Sequence, residues 1–189
     1  MSATLQQRAT AILTNPRGEW PIIARETDTM QRLYTGYIVP LVAIGAIASF
    51  LRLAFIGLPL VGRLGLGTSL VNAVVGFAFG LASVILAAVV IEWLAPRFKS
   101  SGDTLAAAKL VAYASTPVWL AGIFNISLAL MPLMLVAALY AVYLYYVGLP
   151  HLMQTPADQV IPFMVVSAIA VIVVSVCFSF VAAMLGFGR

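Results

Sequence analysis

Between Pro162 and Leu185 the chain runs on without a single charged residue. About 20 apolar residues suffice for a helix to cross the roughly 30 Å hydrocarbon core of a bilayer. Four earlier stretches share the pattern, at residues 34–56, 69–94, 105–124 and 130–147, none with more than one charged side chain. The Val/Ile-rich content of the last stretch could suit a strand, but its length favours a lipid-embedded helix. The expectation is an all-α fold: a polytopic membrane helix bundle with five transmembrane helices. Composition agrees, since 63% of the 189 residues are hydrophobic, 8% are charged and mean hydropathy is +1.08. Soluble domains carry about a quarter charged residues, and in water this chain would expose adhesive apolar patches. Five spans leave no room for a separate soluble catalytic domain.

Orientation is read from Lys and Arg near each span. With the amino terminus in the cytoplasm, that side receives Arg8, Arg17, Arg25, Arg32, Arg97, Lys99 and Lys109, against Arg52, Arg63 and Arg189 opposite. This bias favours a cytoplasmic amino terminus. The net charge of +4 is scattered among acids rather than clustered, which speaks against nucleic-acid binding and for anionic lipid headgroups. Residues 1–30 lack an apolar core and a small-residue cleavage site, so the first span is expected to act as an uncleaved insertion signal.

Residues 1–33 read as a polar, interfacial amino-terminal segment ahead of a membrane domain at 34–189. Leu5, Ala9, Ile12 and Leu13 share one helical face, and Asn15-Pro16 stops that helix. Trp20 suits the headgroup boundary, and a second short helix is expected from about Pro21 towards Arg32. Arg52, near the far end of span one, can snorkel into headgroups. The glycine-rich stretch after it lacks the strand and βαβ unit of a nucleotide-binding loop.

Within the spans, a few positions invite a functional reading. Asn72, Gly76 and Gly80 share one face of span two, where small residues let another helix approach and Asn72 can donate across the contact. Glu92, Arg97, Lys99, Asp103 and Lys109 gather at the edge of spans two and three. They form either a docking cluster or ordinary interfacial charge, with Lys109 snorkelling or paired to Glu92. Asp103 or Ser101 can cap span three. Ser115, Thr116 and Pro117 break that span, because proline removes a donor and clashes with the preceding turn. The break either lines a cavity or shapes packing. Tyr140, Tyr143 and Tyr146 repeat along one face of span four, with Tyr145 turned aside, as a ligand pocket or as packing and interfacial rings.

Catalysis has no visible machinery. His151 is the single histidine and Cys177 the single cysteine, so a disulfide and a thiolate metal cluster are excluded within the chain. No metal or other cofactor is expected, and no nucleophile motif frames Ser115, His151 or Asp158.

The stretch Lys109-Leu-Val-Ala-Tyr113-Ala-Ser115-Thr116-Pro117-Val-Trp119-Leu resembles the hallmark of the Yip1 family in its bacterial branch. The stretch Tyr140-Ala-Val-Tyr143-Leu-Tyr145-Tyr146-Val-Gly148-Leu-Pro150-His151 reinforces the resemblance, as does Asn15-Pro16 followed by Trp20. The resemblance implies a five-span domain with a cytoplasmic amino terminus. Eukaryotic relatives bind Rab-type small GTPases, but the Asp-Leu-Tyr-Gly-Pro element associated with them is absent, so Rab binding is not carried over. The functional expectation is a non-catalytic scaffold or adaptor whose partners are membrane lipids, other membrane proteins or a second copy of itself. The alternative is a small transporter or channel acting through the broken third helix.

Overall fold

In a computed structural model of the protein the described residues are 4–57 and 62–184. Among them there is no β-strand. The chain opens with two short helices, α1 (Leu5–Thr14) and α2 (Pro16–Arg25). Thr4 caps α1 by accepting from the Gln7 amide while the Gln7 side chain accepts from the Thr4 amide, which satisfies two donors that a helix start leaves free. Asn15 ends α1 and starts α2, its Oδ1 accepting from Gly18, with Pro16 in the first turn where no donor is needed. The sequence expectation placed the second helix from Pro21; it begins at Pro16, where Asn15 caps it, and carries Pro21 inside it.

Next comes a long apolar rod. α3 (Met30–Leu33) passes through a π-helical turn at Tyr34–Ile38 into α4 (Val39–Leu51), and a second π turn at Arg52–Ile56 ends it. Gly57 then adopts φ 91°, and its Cα approaches the Gly62 backbone so closely that a β-carbon would sit 2.7 Å from the Gly62 carbonyl carbon. Part of the glycine-rich loop, residues 58–61, lies outside the described residues, as does the carboxyl end from residue 185.

α5 (Leu66–Leu94) extends into a 3-10 turn at Ala95–Phe98. Asp103 caps α6 (Thr104–Ala114) through the Ala106 amide at 2.8 Å, as expected. The break then falls where Pro117 placed it. α6 and α7 (Thr116–Ala121, continuing as 3-10 turns to Ile126) meet at 42°. α8 (Met131–Leu152) and α9 (Val160–Met184) complete the chain. α8 runs one turn beyond the expected end near Val147-Gly148, carrying Pro150 inside it, so the expected loop at 149–161 shrinks.

Among the described residues three helices are long and apolar enough to cross a bilayer, Met30–Ile56, Leu66–Phe98 and Pro132–Leu152, with the bent α6–α7 pair a fourth if it is one span. α5 packs on α4, α6 and α9, and α8 on α2, α6, α7 and α9. Close crossings use glycine: a β-carbon on Gly122 would lie 2.9 Å from the Gly45 Cα. The α5–α6 and α8–α9 loops meet at one end, where Ser100 Oγ donates to Thr155 Oγ1 and the Ser101 amide to the Met153 carbonyl, both at 2.9 Å. Leu135, Val136 and Leu139 on α8 and Ile161, Ile169 and Ile172 on α9 point outward. Such a surface is stable against hydrocarbon rather than water.

Candidate functional site: a charged seat beneath the amino-terminal hairpin

The α1–α2 pair is folded into the bundle. Ile12, Trp20 and Ile23 are fully buried and share one core with Leu110, Tyr113, Leu144 and Leu149 from α6 and α8. The Trp20 ring meets Tyr113 edge to face at 6.4 Å between centroids. It also lies over Gly148, where a β-carbon would come within 2.8 Å of the ring and 2.7 Å of Leu110. The ring expected to meet the headgroups is thus enclosed by the protein itself. An indole buries a large apolar area, and a gap left by glycine on α8 receives it.

Charge locks the hairpin from within. Arg8 on α1 is 5% exposed and holds Glu19 of α2 through Nη1 and Glu26 through Nη2, at 2.6 and 2.5 Å to the two Glu26 oxygens. Burial pulls the Arg8 pKa down, but Glu26 and Glu19 outweigh it and leave the guanidinium above its ordinary value. Its charge is therefore permanent. Lys109 on α6, also 5% exposed, donates to the Glu26 carbonyl at 2.7 Å and the Ile23 carbonyl at 3.4 Å. These acceptors close α2, so a cation there satisfies free carbonyls and meets the negative end of the helix dipole. The expected pairing of Lys109 with Glu92 does not form; Glu92 accepts from Thr104 instead.

Beneath the ion pairs the seat turns to hydroxyl chemistry. The Tyr37 ring packs against Tyr113 with centroids 4.6 Å apart and planes inclined by 55°, and its hydroxyl hydrogen-bonds Thr116 Oγ1 at 2.7 Å. Thr116 Oγ1 also donates to the Ala112 carbonyl one turn back, at 3.3 Å. On the other flank the Tyr140 hydroxyl donates to the Leu13 carbonyl at 2.6 Å, tying the end of α1 to α8.

Of the residues singled out from sequence, Lys109, Tyr113 and Thr116 converge here. Ser115 faces away, into an apolar cavity of about 540 Å³ between α5, α6, α8 and α9, near the Tyr145–Ser167 hydroxyl pair at 2.9 Å. Pro117 lines a separate groove with Leu13 and Tyr140. The Asn72–Gly76–Gly80 face is only partly a helix contact. Gly80 admits Val42 of α4, 2.8 Å from where a β-carbon would stand, but Gly76 has open space and Asn72 is exposed, bonded to the Thr68 carbonyl of its own helix. At this level of α5 it is Leu70, Ala73, Val74 and Phe77 that face α4, across a groove shared with Ala43, Ala46, Ile47 and Phe50. The tyrosines of α8 diverge as well: Tyr140 binds α1, whereas Tyr143 and Tyr146 are exposed, Tyr143 resting on Tyr140 at 5.7 Å. Arg97 lies over Trp93, 3.9 Å from the ring centroid, so the expected five-residue charge cluster is dispersed among separate partners.

Sequence reasoning missed Arg8, Glu19, Glu26 and Tyr37. One signal was present: Glu19, Glu26 and Asp28 make up half the acidic residues of the chain within its first 28 positions.

These features define a polytopic α-helical membrane protein whose amino-terminal hairpin is clamped to the bundle by buried charge. The chain belongs to the Yip1 domain family, whose model matches residues 10–179, a span that begins within α1, beyond Arg8, and takes in α2 and the helices beneath it. It is 27% identical to the Inner membrane protein YohC of Escherichia coli strain K12 over 189 residues, covering 94% of this chain and 95% of that protein, with the same figures for the protein of that name from strain O6:H1. No solved structure matches the chain.

Proposed function

We propose that this protein is a non-catalytic scaffold of the bacterial inner membrane, with five spans and a cytoplasmic amino terminus, that binds other membrane proteins or lipids. One observation carries the reading: the buried charged side chains at the seat, Arg8 and Lys109, are spent on contacts that hold the protein's own hairpin. Arg8 is paired with two carboxylates, Lys109 donates to two backbone carbonyls of the hairpin, and the Tyr37 hydroxyl is hydrogen-bonded to Thr116 beneath them. Groups committed in this way hold a surface in shape rather than bind and release a solute. The cavity at the helix break is lined almost wholly by apolar side chains, which suits lipid contact better than ion passage. Support for the membrane comes from the relative that is named for the inner membrane, and support for the orientation from the Lys and Arg bias.

Crosslinking in native membranes followed by affinity capture tests the role. A reproducible partner set supports a scaffold, whereas recovery of bulk membrane proteins alone counts against it. Reporter fusions after residues 28, 62, 101 and 128 and at the carboxyl end read the topology, and a cytoplasmic signal from both ends would exclude five spans. Solute flux in proteoliposomes that vanishes in Lys109→Ala would replace the scaffold with a transporter.

A further inference from the structure

Three contacts fix how deep the hairpin sits against the bundle. Tyr140 holds the Leu13 carbonyl, Trp20 lies over Gly148, and Lys109 holds the Ile23 and Glu26 carbonyls. At ~1.5 Å per residue, Gly148 lies about 6 Å and Tyr140 about 18 Å inside the Leu152 end of α8. α2 therefore runs alongside α8 from that depth back towards the end where the α5–α6 and α8–α9 loops meet. The α1–α2 turn at Asn15 is the deepest part of the hairpin.

The flanks of the bundle differ at this depth. On α5 and α9 the exposed side chains are apolar right up to the shared end: Ile85, Val89 and Trp93 on the one, Ile161 and Val165 on the other. On the hairpin flank, α1 and the start of α2 expose Gln6, Gln7, Thr10, Thr14, Asn15 and Arg17. Apolar surface resumes only at the turn, in the groove that Leu13 shares with Pro117, Leu133 and Val136. Charge is sorted in the same sense. Glu19 and Glu26 turn inward onto Arg8, whereas Arg17 and Arg25 are exposed and pair with no carboxylate among the described residues. Ile22 is the large apolar side chain that the hairpin leaves exposed, nearer the Glu26 end.

Hydrocarbon against this face would leave amides, hydroxyls and a guanidinium without partners, an arrangement that bilayers relieve by thinning locally and admitting water. We infer that the outer face of the hairpin is a headgroup-binding surface. Phospholipid headgroups of the leaflet on this side, with their water, descend along α1 and α2 to the level of the Leu13–Tyr140 bond. Phosphate supplies acceptors for the hydroxyls and amides and the negative charge that Arg17 lacks. A polar partner helix would satisfy the same hydrogen bonds, but an outward charge that is positive and free of carboxylates favours the phosphate layer. The surface deepens the lipid-binding side of the scaffold reading and rests on it.

Fluorescence quenching in vesicles of phosphatidylglycerol and phosphatidylcholine reads what surrounds each flank. The intact protein carries Cys177→Ser and one bimane, at Thr14→Cys on the hairpin or at Ile85→Cys on α5, both exposed positions. Ile85 is about 13 Å inside the Leu94 end of α5, so it is the shallower of the two. A nitroxide on the lipid headgroup should quench Thr14 more strongly than a nitroxide midway along the acyl chain, and the order should reverse at Ile85. Gln6→Leu with Thr10→Leu and Arg17→Leu makes the face apolar and should shift Thr14 towards the acyl-chain quencher; no shift overturns the inference. Stronger acyl-chain quenching at Thr14 with the face unaltered also overturns it, because hydrocarbon then covers the hairpin. So does quenching by aqueous iodide with both lipid quenchers ineffective, which would mean open water, or quenching by none of the three, which would mean a covering protein helix. Thermal melting in detergent checks the fold of the triple variant, and if it fails to fold, the comparison of Thr14 with Ile85 decides alone. An unchanged set of crosslinked partners alongside acyl-chain quenching at Thr14 would sink the surface and spare the scaffold.

Discussion

Arg8→Met is the substitution that bears hardest on the seat. The new side chain fills similar space but leaves Glu19 and Glu26 facing the same position without a cation. Breaking a buried ion pair by removing one partner costs about 3–5 kcal/mol. The Glu19 side chain is 13% exposed and that of Glu26 34%, so water recovers part of the loss at Glu26 and the lower end applies, about 3 kcal/mol. That loss falls on the hairpin, because α5 and α8 both pack on α9 and on α6 without it. Its docking equilibrium should shift on the order of a hundredfold. Hydrogen exchange in lipid nanodiscs reads this directly: amides of 5–25 should exchange faster by that order while those of 81–91 in α5 stay unchanged. Adding Glu19→Gln and Glu26→Gln should restore most of the protection, since a neutral, packed replacement of a buried ionic group is often tolerated. Unchanged exchange in Arg8→Met, or no recovery in the triple variant, would refute the claim that charge pairing holds the hairpin.

Three further outcomes are expected. Gly148→Ala should lower the melting temperature, by the equivalent of about 1–3 kcal/mol for overpacking against Trp20 and Leu110; the sign is diagnostic, because alanine in place of glycine within a helix ordinarily stabilises. Thr116→Val should cost about 1–3 kcal/mol by stranding the buried Tyr37 hydroxyl, whereas Pro117→Ala should cost less than about 1 kcal/mol, since proline in the first turn of α7 replaces a donor that is free anyway; thermal melting in detergent compares them. Gly80→Leu should destabilise by about 1–3 kcal/mol through collision with Val42, while Gly76→Leu should stay within about 0.5 kcal/mol. A loss of dimer in Gly76→Leu, seen by crosslinking without a change in melting, would assign that open face to self-association.

The spans were legible because length and apolarity carry them, and the break because proline acts through its own backbone. Asp103 as a cap was legible for the same reason: it works on an amide three residues away. The hairpin was not. α1 and α2 hold Arg8, Arg17, Glu19 and Arg25, so locally they look like a solvated surface. Their burial depends on pairs that no helical spacing announces, Arg8 with Glu19 eleven residues on and with Glu26 eighteen residues on. Lys109 finds its acceptors more than eighty positions back, whereas Glu92, nearer in sequence, found Thr104. The outward placement of Asn72 and Gly76 was likewise hidden, because small-residue spacing marks a face able to take a helix without saying which part of it another helix crosses.

Seating of the hairpin on the membrane helices is tested most directly by electron–electron resonance between nitroxides at Thr10→Cys and Leu139→Cys, both exposed positions, on a Cys177→Ser background in lipid nanodiscs. A single sharp distance distribution is expected, since the Tyr140 bond to Leu13 and the Trp20 contact with Gly148 fix α1 and α2 against α8. A broad distribution, spread as for a tethered chain, would contradict it.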